Sequence, residues 1–565
     1  MTSSEIRKKF LEFMEGKGHK IVPSSSLVPT DDSVLLTTAG MQQFKPYYTG
    51  EKNAMSDFGS LNTASIQKCA RTSDIEEVGD ETHLTFFEML GNFSFGGYFK
   101  KEAIAYAHEF ITKEMGLKID FVSVFAGDAE TPSDEESEKI WKEIDAGVEI
   151  KKFGREDNFW GPTGDEGPCG PTTEIYVDGV EIWNLVFNEY FKSKDGKFRK
   201  LETPGVDTGM GLERLAVAVQ KVPSVFETDL FVPIMDKISE LSKENDVGAK
   251  RVIADHIKAG VFMVSDGILP SNVGRGYVLR RLIRRAVRYG KMLGIEKMFA
   301  GDIAGTVIDI YKEQYPELEK NKEKIFEELN KEEEKFEKTL EKGIRELEKM
   351  EKISGKDAFV LFSTYGFPFE LTKEIAAEKG AEIDEREFRE EMKKHQELSK
   401  TASAGMFKGG LADSGEEAAK LHTATHLLQA ALREVLGEHV AQKGSNITAE
   451  RLRFDFSHPE KLTDEQKRKV EEIVNEKIRE NLPVVCDEMS VEEAKGKGAL
   501  GVFNAKYGDK VKVYSIGGPD QGGRVFSREI CGGPHAKTTG ELGRFRIKKE
   551  EASSAGVRRI KAALE

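Results

Sequence analysis

The sequence predicts a multidomain protein in which an α/β region is followed by a helical region and then by an α+β region. The chain has 565 residues, more than one hydrophobic core usually holds, so about three to four domains are expected. Residues 1–245 alternate Gly-rich turns with strand-like aromatic segments, and residues 246–404 have helical spacing. Residues 405–418 are small and polar, which indicates a linker, and residues 419–565 alternate like strands around a helix at 464–480.

Composition and charge exclude several classes of protein. With 38% hydrophobic and 32% charged residues, and no run of about 20 apolar residues, the chain is typical of soluble globular proteins and not of membrane proteins. The N-terminus lacks the pattern of a signal peptide, and four cysteines are too few for a disulfide scaffold, so a cytoplasmic location is expected. The net charge of −15 argues against a protein that coats nucleic acid, so any RNA-binding surface is expected to be local.

Two arginines mark the α/β region, in which a strand is expected near 181–191. Arg71 precedes a polar loop and a dense aromatic segment, and Arg214 lies at the Gly-rich strand–helix junction VDTGMGLERLA, residues 206–216. Guanidinium groups bind phosphate oxygens in pairs, so two arginines flanking one sheet predict a clamp for the phosphates of ATP.

The helical region contains a basic stripe. In GYVLRRLIRRAVRYGKML, residues 276–293, helical spacing places Arg280, Arg284 and Arg288 on one face. Most charge runs are solvated faces, but in an acidic chain such a stripe indicates a surface for RNA phosphates. The segment 320–350 carries Glu and Lys four residues apart, which predicts a solvent-exposed helical strut.

Two histidine-containing segments of the last region predict a metal site. LHTATHLLQAAL, residues 421–432, places His422 and His426 one helical turn apart, and REICGGPHAKTTGELG supplies Cys531 and His535. One such histidine pair is weak evidence, but imidazoles combined with a thiolate favour zinc. Thr423 stands where zinc proteases carry a general-base Glu, so a different chemistry is expected. The three other cysteines, Cys69, Cys169 and Cys486, are interpreted as small hydrophobic fillers.

Several longer segments resemble one family. TFFEMLGNFSFGGYFK, NFWGPTGDEGPCGPTTEIY, IWNLVFNEY and VDTGMGLER resemble, in the same order, the class II catalytic domain of the alanyl-tRNA synthetases. The arginine helix with its preceding PSN resembles the tRNA-recognition domain of that family, and GEHVAQKGSNI and SAGVRRIKA resemble its editing domain. The resemblance implies an antiparallel-sheet catalytic domain at 1–245, a helical tRNA-recognition domain at 246–404 and an α+β editing domain at 419–565.

The resemblance also implies an activity and its residues. The reaction would be activation of alanine by ATP with Mg²⁺, followed by transfer of alanine to the 3′ end of tRNA(Ala). Arg71 would contact the α-phosphate and Arg214 the triphosphate tail, while Phe87 would stack on adenine. Asp207 would bind the ammonium of alanine, in a pocket formed with Trp160, Asn184 and Gly209. His83 follows Thr82, where the family has a basic residue, and is the nearest expected partner for the terminal phosphates.

Recognition of tRNA and editing are implied in the same way. Asn272 would help to read a G:U pair in the acceptor stem, and Ser363 stands where the family places an Asp before TYGFP. A hydroxyl can donate or accept a hydrogen bond whereas a carboxylate only accepts, so an altered readout is expected.

The editing domain would hydrolyse mischarged Ser-tRNA(Ala) and Gly-tRNA(Ala), with Gln442 sensing the serine hydroxyl. It would hold one zinc ion on His422, His426, Cys531 and His535. Four protein ligands close a tetrahedral site, so either one ligand is loose or the metal orients the substrate without activating water. Pro534, in CGGPH, occupies a position at which most alanine enzymes carry Thr.

The chain lacks the β-barrel that usually precedes the editing domain and the C-terminal domain that usually follows it, so a monomer is expected. Two other functions remain open: a tRNA deacylase with a decayed synthetase half, and a non-catalytic RNA-binding paralogue. The retained Arg71, Asp207 and Arg214 argue against the first, and the retained metal set also argues against the second.

Overall fold

The chain folds into two compact units. The computed structural model describes residues 1–30, 34–73, 75–161, 166–350, 353–378, 380–404, 415–448, 450–500, 510–518, 525–554 and 556–565. The first unit comprises Met1–Ile353 and Val360–Ile383, and the second comprises Ser354–Phe359 and Asp384–Glu565. The predicted first domain and most of the predicted second domain, 246–404, therefore share one unit, whereas residues 354–359 and 384–404 of that second domain belong to the other unit. Most of the predicted linker, residues 405–414, lies outside the described residues.

The first unit is built on a nine-stranded sheet. Its strands are β1 (Lys20–Ile21), β2 (Asn62–Ala70), β3 (Phe86–Ser94), β4 (Phe121–Phe125), β5 (Glu149–Phe153), β6 (Phe159–Trp160), β7 (Gly167–Val177), β8 (Val180–Lys192) and β9 (Phe198–Gly211). Their order is β1-β2-β3-β9-β8-β7-β4-β5, with β6 paired to β7. In the described part of the sheet β1/β2 and β4/β5 are parallel and the other pairs are antiparallel. This is the antiparallel-rich sheet that the sequence predicts, and β8 is the strand expected near 181–191.

Helices surround this sheet and form the rest of the first unit. They are α1 (Ser3–Gly16), α2 (Lys45–Tyr48), α3 (Ala54–Phe58), α4 (Lys100–Glu109), α5 (Glu135–Ile144), α6 (Arg155–Asn158), α7 (Leu212–Gln220), α8 (Val232–Leu241), α9 (Val247–Ser265), α10 (Gly274–Met292), α11 (Ala300–Tyr311), α12 (Glu317–Lys320), α13 (Lys322–Glu348), α14 (Gly355–Tyr365, which crosses into the second unit) and α15 (Phe369–Glu378). Helices α1, α4, α7 and α9 contact the sheet directly. No helix in the described part of the chain has the length and apolarity needed to cross a membrane.

Helix α13 is not the exposed strut expected from its charges. One of its faces packs on α9, α10 and α11 and buries Ile325, Leu329, Phe336 and Leu340. Glu332 and Glu333 are buried on the same helix. The expectation rested on the alternating Glu and Lys residues. The apolar residues between them recur with helical period and form a stripe, and such a stripe decides how a helix packs.

A network of buried charges fixes the sheet to the helices behind it. Arg7 of α1 donates through Nε to Glu88 of β3 at 2.9 Å, and Tyr315 donates its hydroxyl to the same carboxylate at 2.8 Å. Lys258 of α9 lies 2.9 Å from Glu213 of α7, and Glu213 also accepts from the backbone N–H of Glu88 at 3.1 Å. Burial disfavours each of these charges, so each depends on its partner.

The second unit has two small sheets. Its strands are β10 (Gln442–Ile447), β11 (Leu452–Ser457), β12 (Val484–Ser490), β13 (Lys510–Ile516), β14 (Ser527–Ile530), β15 (Phe545–Ser554) and β16 (Val557–Leu564). The orders are β10-β11-β16-β15 and β12-β13-β14. The helices are α16 (Glu385–Ala404), α17 (Glu416–Leu436), α18 (Asp464–Arg479) and α19 (Val491–Gly496). Helices α17 and α18 pack with the four-stranded sheet in one core, which includes Leu428, Phe454, Val474 and Ile560. This is the expected α+β fold.

We expect Lys258→Met to destabilise the first unit by about 3–5 kcal/mol, because it leaves the buried Glu213 without its cation. Urea unfolding of the variant and the wild type measures this difference. The control is Lys312→Ala, which removes an exposed partner of Asp309 and is expected to change little. Equal midpoints for Lys258→Met and the wild type would show that the pair does not hold the fold together.

Candidate active site and metal centre

A cleft of about 450 Å³ opens on the β7–β9 part of the large sheet. Strands, loops and the start of α7 contribute to its wall. All eight residues that the sequence predicts for ATP and alanine line it: Arg71, His83, Phe87, Trp160, Asn184, Asp207, Gly209 and Arg214. Residues as far apart in the chain as 71 and 214 therefore meet in one site.

Strand register sets the floor of the cleft. Asn184 on β8 is paired with Glu174 on β7 and with Gly209 on β9, so the three residues form a row across adjacent strands. A Cβ atom on Gly209 would lie 2.9 Å from the Sδ atom of Met89. A side chain at this position would displace the flexible end of Met89, which also lines the cleft.

Two carboxyl groups in the cleft are poised to bind a cation. Asp207 is 6% exposed, and burial raises the pKa of its carboxyl to about 7. Glu174 accepts a hydrogen bond from Asn184 Nδ2 at 2.9 Å, and burial followed by the neighbouring charge of Glu181 raises its pKa to about 7. Such carboxyls gain most from a ligand that brings a positive charge.

The two arginines enter the cleft from different elements. Arg71 donates through Nε to the carbonyl of Thr38 at 3.2 Å, and its guanidinium lies 5.1 Å from the centre of the Phe87 ring. Arg214, in the first turn of α7, lies 2.9 Å from the carboxylate of Glu181 and keeps 42% of its side chain exposed. The cleft therefore contains the guanidinium of Arg71, ordered beside the Phe87 ring, and that of Arg214 at the rim.

His83 lies at the edge of the cleft between two acids. Its Nδ1 atom is 2.5 Å from Asp80 and its Nε2 atom is 3.2 Å from Glu77. Both ring nitrogens therefore face carboxylates in this conformation, and a phosphate could contact His83 only after the ring had moved away from one of them.

Sequence reasoning did not single out Glu174 and Glu181. Glu174 lies within the family-like segment GPTTEIY, where its place on the cleft-facing row of β7 could have been inferred from strand alternation. The pairing of Glu181 with Arg214 spans 33 residues. Local pattern contains no signal for such a contact.

The arginines of α10 do not form the exposed basic stripe that was expected. Arg284 and Arg288 are each 4% exposed. Arg284 donates to Glu332 at 2.7 Å, and Arg288 lies 3.2 Å from Glu374 of α15. Arg280 is less buried and also donates to Glu332, at 3.3 Å. The interpretation as an open phosphate-binding stripe was wrong because neighbouring helices supply acidic partners from distant parts of the chain.

Asn272 and Ser363, the two residues expected to read the acceptor stem, are both exposed. Asn272 lies just before α10, and its Oδ1 atom accepts a hydrogen bond from Arg280. Ser363 lies near the end of α14. The first unit thus presents both polar groups to solvent.

The four predicted metal ligands converge in the second unit. His422 and His426 lie on α17, and Cys531 and His535 lie on the turn after β14. One ligand atom from each residue lies within 4.8 Å of the others. Three nitrogens and one sulfur at this spacing fit a zinc ion.

Hydrogen bonds orient two of the rings for a metal. His422 Nδ1 lies 3.0 Å from the carbonyl of Pro534, which leaves Nε2 facing Cys531 Sγ at 3.3 Å. His535 Nδ1 contacts Thr423 Oγ1 at 3.2 Å, and His535 Nε2 is buried without a partner among the described residues. Metal-bound histidines use their second nitrogen in this way, and Thr423 gains a role that the sequence did not suggest.

Burial keeps these groups uncharged. It lowers the pKa of His422 to about 4 and the pKa values of His426 and His535 as well, while it raises the pKa of the Cys531 thiol to about 11. Neutral imidazole is the form that binds metal, whereas the thiol must lose its proton on binding.

A buried carboxyl lies beside the four clustered ligands. Glu529 is buried, with a carboxylate oxygen 3.6 Å from His426 Nε2.

Cys486 is exposed on β12, so its interpretation as a buried filler was wrong, whereas Cys69 and Cys169 are buried as expected. Gln442 begins β10 and donates to Ser445 Oγ at 3.0 Å; it is not one of the four clustered ligands.

Two family models match the chain. Residues 5–450 match the model described as tRNA synthetases class II (A), and residues 511–561 match the threonyl and alanyl tRNA synthetase second additional domain. The first match contains the cleft and the second contains Cys531 and His535. A solved pyrrolysyl-tRNA synthetase from Desulfitobacterium hafniense is 10% identical, with a TM-score of 0.26 over 40% of this chain and 72% of that one, which is too weak a similarity to inform the fold.

Curated relatives are similar over the whole chain. An alanine–tRNA ligase of Borrelia hermsii is 48% identical, with 100% of both chains covered, and one of Treponema denticola is 49% identical, with 100% of this chain and 99% of the relative covered. An alanine–tRNA ligase of Dehalococcoides mccartyi is 39% identical and is covered over 80% of its length. The chain belongs to the alanine–tRNA ligase family of class II tRNA synthetases.

Proposed function

We propose that this chain activates alanine with ATP, transfers it to tRNA(Ala) and hydrolyses tRNA(Ala) that carries serine or glycine. The observation that carries the proposal is the meeting of Arg71, Arg214 and the buried Asp207 in one cleft. This set supplies cations for phosphates and an anion for an amino group. A cytoplasmic site of action follows from the proposed substrate, tRNA.

In the activation step the ammonium of alanine pairs with Asp207, and Asn184 and Trp160 enclose its methyl group. The alanine carboxylate attacks the α-phosphorus of ATP, and the bond to the leaving pyrophosphate breaks. Arg71, beside Phe87, stabilises the charge that develops on the α-phosphate. Arg214 leaves its contact with Glu181 and binds the phosphates of the leaving pyrophosphate instead. In the transfer step, the terminal hydroxyl of tRNA attacks the alanyl carbonyl and AMP leaves.

Mg²⁺ is proposed to accompany ATP. The carboxylates of Glu174 and Glu181 line the cleft close enough for the charge of Glu181 to raise the pKa of Glu174, and oxygen donors of this kind fit a hard cation. When bound, the cation neutralises phosphate charge. These two residues would hold it in the cleft, where Glu181 already lies beside Arg214.

An enzyme with a small amino-acid pocket is expected to need an editing activity. A site shaped for alanine rejects the smaller glycine weakly, and it discriminates poorly against serine, which adds only a hydroxyl. The second unit supplies a separate centre in which His422, His426, Cys531 and His535 would hold zinc, with Gln442 proposed to contact the serine hydroxyl. Zinc, when bound, supplies a Lewis acid that can polarise or orient the ester. Pro534 and Thr423 fix the rings of His422 and His535 for that purpose.

We further propose that Asn272 and Ser363 contact the acceptor stem of tRNA(Ala). Both are exposed on the first unit, and each presents hydrogen-bonding groups to solvent. Base-pair edges are read by such groups, whereas phosphates are bound by cations.

A deacylase with an inactive synthetase half is the second candidate. It is favoured by the complete metal set in the second unit. Alanine-dependent exchange of pyrophosphate into ATP separates the two functions, because a deacylase alone cannot catalyse it.

Alanine activation is expected to depend on pH through Asp207. Its carboxyl has a pKa raised to about 7, so it is charged above that pH and loses its attraction for ammonium as the pH falls below it. We expect kcat/KM for alanine in pyrophosphate exchange to fall about tenfold per pH unit below pH 7. Asp207→Asn should abolish activation.

Glu174 has a similar pKa, so Glu174→Gln serves as the control. A pH profile that keeps its transition in this variant assigns the transition to Asp207. A flat profile between pH 6 and pH 8 in the wild type would contradict the proposal.

Cys531→Ser should release zinc and stop editing without affecting synthesis. We expect less zinc per chain by atomic absorption, and hydrolysis of Ser-tRNA(Ala) no faster than in chelator-treated wild type, because a hydroxyl is a poor ligand for zinc. Alanine-dependent pyrophosphate exchange should be unchanged. The matched control is the exposed Cys486→Ser, which should retain zinc and hydrolysis. Full zinc content in Cys531→Ser would remove that residue from the metal set.

Replacing Ser363 by Asp restores the carboxylate that the family places before TYGFP. We expect the ratio of charging for a G:U over a Watson–Crick acceptor-stem pair to rise about fivefold, since an added base contact contributes discrimination of this order. Charging of the two transcripts by wild type and variant measures the ratio. An unchanged ratio would exclude position 363 from the readout.

A further inference from the structure

Two exposed segments of the first unit carry the residues proposed to contact the acceptor stem. The first, residues 270–273, precedes α10 and contains Asn272 and Val273, the latter 76% exposed. The second, residues 363–368, comprises the last residues of α14, which include Ser363, and the turn that leads to α15. Neither segment belongs to a sheet, and side-chain contacts add to the few backbone hydrogen bonds that hold them, such as those from Ser271 N–H to Gly276 and from Phe367 N–H to Leu361.

One arginine of α10 holds each segment. Arg280 donates through Nη1 to Oδ1 of Asn272. Arg284 donates through Nη1 to the carbonyl of Gly366 at 2.8 Å. A guanidinium only donates, so the contact with Arg280 fixes the Asn272 amide with its oxygen inward and its NH₂ group available to a partner.

Both arginines meet at one buried carboxylate. Their Nε atoms donate to the same oxygen, Oε1 of Glu332 on α13, at 3.3 Å from Arg280 and 2.7 Å from Arg284. Glu332 is 5% exposed and Arg284 is 4% exposed. Arg280 and Arg284 lie one helical turn apart, so their charges repel each other unless an anion lies between them.

The second segment is also seated on α13 by packing. The Phe367 side chain is fully buried against Gly343, where an added Cβ would lie 2.2 Å from its ring, and Arg284 itself lies over Phe336 at 4.8 Å. The ring and the guanidinium therefore fix residues 366–367 to the helix that carries Glu332.

We propose that Glu332 is a positioning residue for tRNA recognition, which holds Asn272 and the 363–368 segment at a fixed separation through Arg280 and Arg284. The inference rests on the proposed contact of these segments with the acceptor stem. Reading a base pair requires donors and acceptors held within fractions of an ångström, and a single anion shared by two cations supplies that constraint.

The neighbouring Glu333 provides a matched control. It is 0% exposed on the same helix, but its carboxylate accepts from the backbone N–H groups of Phe299 and Ala300 at 3.0 Å, at the start of α11. Glu332→Gln and Glu333→Gln thus each replace one buried carboxyl of α13 by an amide, and only the first alters a partner of the arginines.

The test measures two activities of the full chain. We expect Glu332→Gln to lower kcat/KM for charging a tRNA(Ala) transcript about tenfold, while alanine-dependent pyrophosphate exchange stays at the wild-type rate. Glu333→Gln should leave both activities at the level of the wild type. A fold defect alone would lower both activities together.

A double variant shows whether Glu332 acts through Asn272. Asn272→Ala should also lower tRNA charging, and adding Glu332→Gln to it should cost less than Glu332→Gln costs alone, because part of the same interaction is already lost. The inference would be overturned if the losses in tRNA charging of the two single variants multiplied fully in the double variant. It would also be overturned if Glu332→Gln lowered tRNA charging no more than Glu333→Gln does. If Asn272→Ala charges tRNA normally, the proposed contact of Asn272 with tRNA fails instead, and with it the role of Glu332.

Discussion

The pairing of buried carboxylates with buried cations is the constraint on which the catalytic sheet depends. Glu88 and Glu213, of which Glu213 also lines the cleft, bind Arg7 and Lys258 of the surrounding helices. Side chains alternate along a strand, so Glu88 points into this network while the preceding Phe87 faces the cleft. The contacts that hold the sheet in place therefore also fix residues that line the cleft.

The sequence was most informative where function imposes local spacing. The metal ligands come in two pairs four residues apart, and the cleft residues lie in long family-like segments, so both sets could be named without coordinates. It failed where the partner is distant. Arg284 and Glu332 are 48 positions apart, and a basic face that looks solvated in the sequence is buried because α13 brings acids to it.

Burial shifts the pKa values of the titratable groups in the cleft and in the second unit in opposite directions. In the cleft, removal from water raises the pKa of Asp207 and makes its carboxylate ready to gain a cationic ligand. In the second unit it lowers the pKa of His422 and leaves an imidazole lone pair for a metal. Desolvation always disfavours the charged form of a group. A buried carboxylate therefore favours a partner such as an ammonium ion, whereas a buried imidazole stays neutral and can bind a metal ion.

The hydrogen bond between His422 and Pro534 has a consequence for how this segment can change in evolution. The group that orients the ring is a main-chain carbonyl, and the pyrrolidine ring of Pro534 is exposed. Substitution at position 534 therefore leaves the orienting oxygen in place, provided that the turn keeps its path. The orientation of the His422 ring thus constrains the path of the main chain at position 534 and not the side chain that this position carries.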